Sequence, residues 1–177
     1  MIRSAVFLLL VSMAQEPSHD PVDWKQLATF VGSWEGIETG RVGDGVGSRT
    51  CQLVLGYNYL FCDNTSTFAP QEKNPNGEVH QDWTLFSYDK LRSRFVARQF
   101  NIETFVNYFV MDVEASDADR LVFVSESSEN APEGTRARLT YSFPGTDQFE
   151  EVFELAWPGE DFEVYGTNHW RRARAKR

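Results

Sequence analysis

The sequence predicts an all-β fold: a single up-and-down antiparallel β-barrel of about ten strands, preceded by a short N-terminal helix. Three observations carry this. Ten segments of strand composition follow one another, each separated from the next by turn chemistry. No helical period persists beyond the first segment. Aromatic residues make up 14% of the 177 positions, a composition that suits pleated, half-buried surfaces. Ten consecutive antiparallel strands would leave two long edges open to other chains, and closure removes both. A two-sheet sandwich is the competing arrangement.

The chain opens with Arg3, the apolar run Ala5-Val6-Phe7-Leu8-Leu9-Leu10-Val11 and small residues at Ser12 and Ala14. That is the pattern of a signal peptide over 1–14, cut after Ala14, so the expected address is exported, either periplasmic or secreted. A disordered or core-buried N-terminus is the other reading. The run is about half the roughly 20 residues that a membrane-spanning helix requires, so no transmembrane span is expected. Residues 15–23 form a polar lead-in, 24–172 the barrel domain and 173–177 a basic tail.

Asp20 as cap and Pro21 at the first helical position predict a helix to about residue 31, with Trp24, Leu27, Ala28 and Val31 on one stripe. Strands are expected over 33–39, 49–55, 58–68, 78–88, 93–100, 102–115, 120–127, 136–143, 149–157 and 162–172. A glycine-rich connection holding Gly40, Gly43, Gly45 and Gly47 joins the first two. Alternation sets Phe95, Ala97 and Gln99 on one face, and Phe149, Phe153, Leu155 and Trp157 on one face against Glu150 and Glu154.

Composition excludes several classes. A net charge of −9 argues against a nucleic-acid partner. Two cysteines are too few for a disulfide scaffold, and three histidines argue against a multi-histidine metal site. The C-terminal Arg171, Arg172, Arg174, Lys176 and Arg177 concentrate positive charge on an acidic chain; this reads as a solvated end, or as an anchor to anionic surfaces.

Gly32-Ser33-Trp34, after a short helix and opening the first strand, resembles the G-x-W signature of lipocalins and the wider calycin superfamily. The resemblance implies that Trp34 packs at the closed end of the barrel with Arg171 or Arg172 lying across it, and that Gly32 permits the close turn. Further motifs are Phe30-Val31-Gly32-Ser33-Trp34-Glu35-Gly36, Leu53-Val54-Leu55-Gly56 running into Tyr59-Leu60, Tyr88-Asp89, and Trp170-Arg171-Arg172. In that order they resemble the bacterial domain-of-unknown-function family fifteen seventy-nine over about residues 24–172. The sequence departs from that family at Ser87 and Tyr57, where glycine is frequent. The chain is also similar, more distantly, to nitrobindin-like haem barrels, whose single histidine near the C-terminus implies His169 as an alternative haem ligand. Their longer signature is not reproduced in Asn168-His169-Trp170-Arg171.

No catalytic motif of the G-x-S-x-G or H-E-x-x-H kind is present. Alternation places His80, with Asp82 and Thr84, on the more polar and presumed outer face, opposite Trp83. Glu38 shares the face of Trp34, where it is either a buried carboxylate or, as preferred, a rim group in water. A barrel of ten strands is wider than one of eight, so a cavity is expected. Its apolar lining would come from Trp34, Trp83, Phe95, Phe105, Phe109, Tyr141 and Phe153, with Gln99, Asn107 and Arg138 orienting a guest. The expected function is binding of a small, mainly apolar or amphiphilic molecule, with no cofactor and no identifiable catalysis. Haem binding through His169, or isomerase or hydrolase chemistry on the cavity's polar groups, are the alternatives. If Gly56-Tyr57 is a two-residue turn, Cys51 faces Cys62. An oxidising compartment would favour a disulfide there, whereas the spacing of a hydrogen-bonded pair would favour two free thiols.

Overall fold

A computed structural model describes residues 22–174. The expected leader, most of the lead-in and the end of the basic tail lie outside the described residues. The strands are β1 (Gly32–Gly40), β2 (Gly43–Val54), β3 (Tyr59–Phe68), β4 (Glu78–Asp89), β5 (Arg94–Asn101), β6 (Val106–Met111), β7 (Arg120–Glu129), β8 (Arg136–Gly145), β9 (Gln148–Ala156) and β10 (Glu163–Arg172). Each pairs antiparallel with its sequence neighbour, and β1 closes on β10, from Trp34 opposite Arg172 to Gly40 opposite Gly166. The all-β closed barrel is as expected, and the sandwich is not formed.

Three local expectations are corrected. The N-terminal helix is a six-residue 3-10 helix, Lys25–Phe30. Its buried stripe is Trp24, Leu27 and Phe30 rather than Trp24, Leu27, Ala28 and Val31, because three residues per turn bring every third side chain onto one face. The glycine-rich connection is strand: Gly45 and Gly47 sit within β2, with Gly47 opposite Gly36. A Cβ on Gly36 would stand 2.7 Å from the Trp170 ring, and one on Gly47 would stand 2.6 Å from it. These glycines therefore make room for a buried indole. The strand expected over 102–115 shrinks to Val106–Met111. Backbone bonds between Asn101 and Phe105 close a turn before it, and the Asp112 carboxylate accepts from the N–H groups of Glu114 and Ala115 after it.

The hairpin β2–β3 turns on Gly56 and Tyr57, both at positive φ, which sets Cys51 opposite Cys62. The two are joined by a disulfide with Cα atoms 4.1 Å apart, so the wide spacing that favoured free thiols does not arise. Closing a loop this short contributes roughly 2–3 kcal/mol by restricting the unfolded chain.

The 3-10 helix plugs one end of the barrel. Phe30 packs against Phe86, Tyr141, Phe143 and Phe149, and Trp34 donates its indole N–H to the Phe30 carbonyl at 2.7 Å. Of the two candidate arginines, Arg172 lies across Trp34, with the guanidinium carbon 4.3 Å from the ring centroid. It also donates to the carbonyls of Val31, Thr29 and Thr146 and to Asp147. Gly32 stands at φ +127°, and a Cβ there would lie 2.7 Å from Arg172 Nη1. Arg171 is exposed and takes no part. This floor closes one end of the barrel.

Candidate functional site

Inward positions on the strands follow one rule: a floor residue, then a polar residue two or four places along. Cys51 is followed by Arg49, Cys62 by Asn64 and Ser66, Phe86 by Thr84 and Asp82, Ala97 by Gln99, Phe109 by Asn107, Phe149 by Glu151, and Trp34 by Glu38; all of these polar residues are buried. They form a polar layer across the middle of the barrel. Such a layer is stable only if its members satisfy one another.

Arg49 Nη2 meets Glu151 Oε2 at 2.6 Å, and both side chains are almost fully buried. The Arg49 guanidinium also lies 4.4 Å from the centroid of the Trp170 ring, while Trp170 Nε1 donates to the same Glu151 oxygen at 3.0 Å. Asn64 donates to Asp82 Oδ2 at 2.9 Å and to Ser66 Oγ at 3.2 Å, and Ser66 Oγ donates to Glu38 Oε1 at 2.5 Å. Asp82 Oδ1 accepts from Thr84 and Gln99. The chain runs on from Asn107 to Gln99 and from Ser128 to Asn107.

Above this layer a cavity of about 350 Å³ opens toward the end opposite the helix. Phe68, Phe105, Leu139, Phe153, Leu155 and Trp157 supply apolar wall, and Glu38, Asp82, Gln99 and Glu151 supply polar groups at its base. At the rim Glu78, His80 and Glu103 bring one ligand atom each within 4.8 Å of one another, with His80 Nδ1 2.8 Å from Glu103 Oε1. A small divalent cation could be held there.

Burial, the largest single influence, weakens the charge on Arg49, but Glu151, Tyr141 and Asp82 together outweigh it and hold the guanidinium more firmly protonated. Burial first, and Glu151 next, push the Tyr141 hydroxyl well above its usual range. Glu38 is raised above 4.5, chiefly by burial and further by Glu151 and Asp82, while the Ser66 hydrogen bond and Arg49 act in the opposite direction. Folded protein therefore keeps a proton that the unfolded chain releases, and stability falls as pH climbs from 4.5 toward the folded-state value. Glu38→Gln retains an acceptor for Ser66 and removes that loss. Its denaturant midpoint should match the parent's near pH 4 and exceed it at pH 8, and a margin independent of pH would refute the buried proton.

The ten residues expected to line a cavity divide three ways. Gln99, Phe105 and Phe153 line it, and Asn107 stands behind Gln99. Trp34, Phe95, Phe109 and Tyr141 are buried in the floor, below the cavity rather than around it. Trp83 and Arg138 lie outside the barrel. Trp83 is 57% exposed and bonds to Asp63, while Arg138 makes a two-point pair with Glu154 over the Phe162 ring. Parity decides both, since Asp82 and Thr84 beside Trp83, and Ala137 and Leu139 beside Arg138, are the buried positions. His80 is thereby corrected to the inner face. Glu38, preferred as a rim group in water, is only 5% exposed. His169 is 58% exposed on the outer face, paired with Glu150.

Arg49, Asn64, Ser66, Asp82 and Glu151 were missed by sequence reasoning. A usable signal existed: Glu151 interrupts the inward stripe Phe149–Phe153–Leu155, and a polar residue in an apolar stripe at matching depth on several strands indicates a layer.

No family model matches the chain, so its resemblance to family fifteen seventy-nine rests on its short motifs alone. No curated protein matches it either. Among solved structures it is similar to Rv2717c from M. tuberculosis, with TM-score 0.63 and 14% identity, covering 88% of this chain and all of that one. It also matches the redesigned beta barrel b11L5F_LGL at TM-score 0.35 and 10% identity, covering 85% of this chain and 96% of the other. A third match is EF1p2_mFAP2b bound to DFHBI, at TM-score 0.33 and 12% identity, covering 84% and 98%. The likeness to Rv2717c establishes the barrel fold, and at this identity nothing beyond it. No helix among the described residues is long and apolar enough to cross a membrane.

Proposed function

We propose that the barrel binds one small amphiphilic molecule, whose apolar body lies among Phe105, Phe153, Leu155 and Trp157 and whose polar end rests on the layer beneath. The observation that carries this reading is the cavity itself. It is open at one end, lies within the size range of ligand pockets, and has apolar walls over a few convergent polar groups. A filled barrel would need no polar layer, because burying one without a use is costly. The Cys51–Cys62 bridge supports export to an oxidising compartment. Titration with amphiphilic fluorescent probes is expected to give dissociation constants below about 100 μM, roughly −5.5 kcal/mol. Phe153→Trp, which enlarges a wall residue, should weaken that binding while the denaturant midpoint stays near the parent value. Failure of every amphiphile to reach that threshold would end the binding role.

A further inference from the structure

We infer that the polar end of the guest is a protonated amine, held by Glu38 at the base of the cavity. The inference rests on the binding role proposed above and names the ligand class for the same site. Glu38 is 95% removed from solvent, judged by its 5% exposure, yet it lines the cavity. Its Oε1 accepts the Ser66 hydroxyl, and its Oε2 has no hydrogen-bond partner among the described residues. The neighbouring polar groups are already committed. Asp82 accepts from Asn64, Thr84 and Gln99, and Arg49 is held by Glu151 and Trp170. A bound ammonium favours the ionised form of Glu38 over the proton that burial favours, and the cavity's open polar valence at its base is then a carboxylate oxygen, an acceptor. It calls for a donor on the guest.

Charge points the same way. Glu38, Asp82 and Glu151 stand at the base against the one Arg49, and Glu78 and Glu103 stand at the rim beside His80. A carboxylate guest would enter an acidic cleft where, among the described residues, Arg49 is already paired with Glu151, whereas an ammonium group gains from every acid on its route. Glu38 asks for N–H donors, not merely positive charge. A primary ammonium is therefore favoured over a quaternary one, which offers no hydrogen bond.

The test is a calorimetric series on the intact protein at neutral pH with octylammonium, octyltrimethylammonium, octanol and octanoate. Octylammonium should bind about tenfold or more tighter than octanol, with octyltrimethylammonium between them and octanoate weakest. Glu38→Gln should abolish the advantage of octylammonium over octanol. Octanoate binding as tightly as octylammonium, or octylammonium no better than octanol, would overturn the amine assignment while leaving the binding role standing. Absence of binding by all four would overturn both. The series on the parent protein decides the matter even if the variant fails to fold.

Discussion

Arg49→Ala is expected to cost about 3–5 kcal/mol of folding stability, a larger loss than its single ion pair would suggest. The guanidinium meets Glu151 at 2.6 Å with both side chains almost fully buried, and it lies across Trp170. Removing it strands the Glu151 carboxylate in the barrel wall with Trp170 Nε1 as a remaining donor, in a layer that also holds Glu38 and Asp82. Desolvation of the leftover charge, not the lost attraction, dominates the cost. A double variant with methionine at both Arg49 and Glu151 removes the two charges together and should recover most of the loss, because an apolar pair of similar volume is often neutral. Urea midpoints of the two variants check this. Arg49→Ala within about 1 kcal/mol of the parent would mean that water reaches the layer and that the cavity's base is not dry.

Trp34→Ala is expected to cost a comparable ~3–5 kcal/mol by leaving a cavity in the floor. Its ring is 1% exposed, packs edge-on against Phe149 and holds the helix through the Phe30 carbonyl. Arg172→Ala should cost less, about 1–3 kcal/mol, combining the cation–π contact with hydrogen bonds to carbonyls at a partly solvated end. Arg171→Ala, with an exposed side chain, should fall within about 0.5 kcal/mol of the parent. Midpoints in the order Trp34, Arg172, Arg171 would support the plugged floor, and a harmless Trp34→Ala would remove it.

The closed barrel was legible because strand patterning is local. Ten turn-punctuated segments and the need to hide two edges favour closure over the competing two-sheet sandwich. Trp34 and an arginine from the last strand were legible through a short motif. The hairpin at Gly56-Tyr57 was legible because its two residues fix the register and bring Cys51 to Cys62. Strand limits were less legible where glycine served packing, as at Gly45 and Gly47, which look like loop in sequence and are strand in the fold.

The site was legible only in part. Alternation tells which residues share a face, but not which face is inside, so a strand rich in polar residues at inward positions is read inside out. That is how His80, Asp82 and Thr84 were assigned outward and Trp83 inward. The large indole suggested a core, whereas the true interior at that height is polar. Arg138 was assigned inward for the same reason, and is satisfied outside by Glu154.

By itself the sequence determined the fold class and the strand count, which follow from spacing along the chain. The closed end was implied by the resemblance to the G-x-W motif, and the cysteine register followed from a two-residue turn at Gly56-Tyr57. The polar layer was decided only by tertiary structure. Arg49 and Glu151 are far apart in sequence, and nothing in the neighbourhood of either says that burial will join them. Their pairing, and the exposure of one Glu38 oxygen to a cavity, arise from barrel closure. Closure brings inward positions of equal depth together from strands that share no hydrogen bonds.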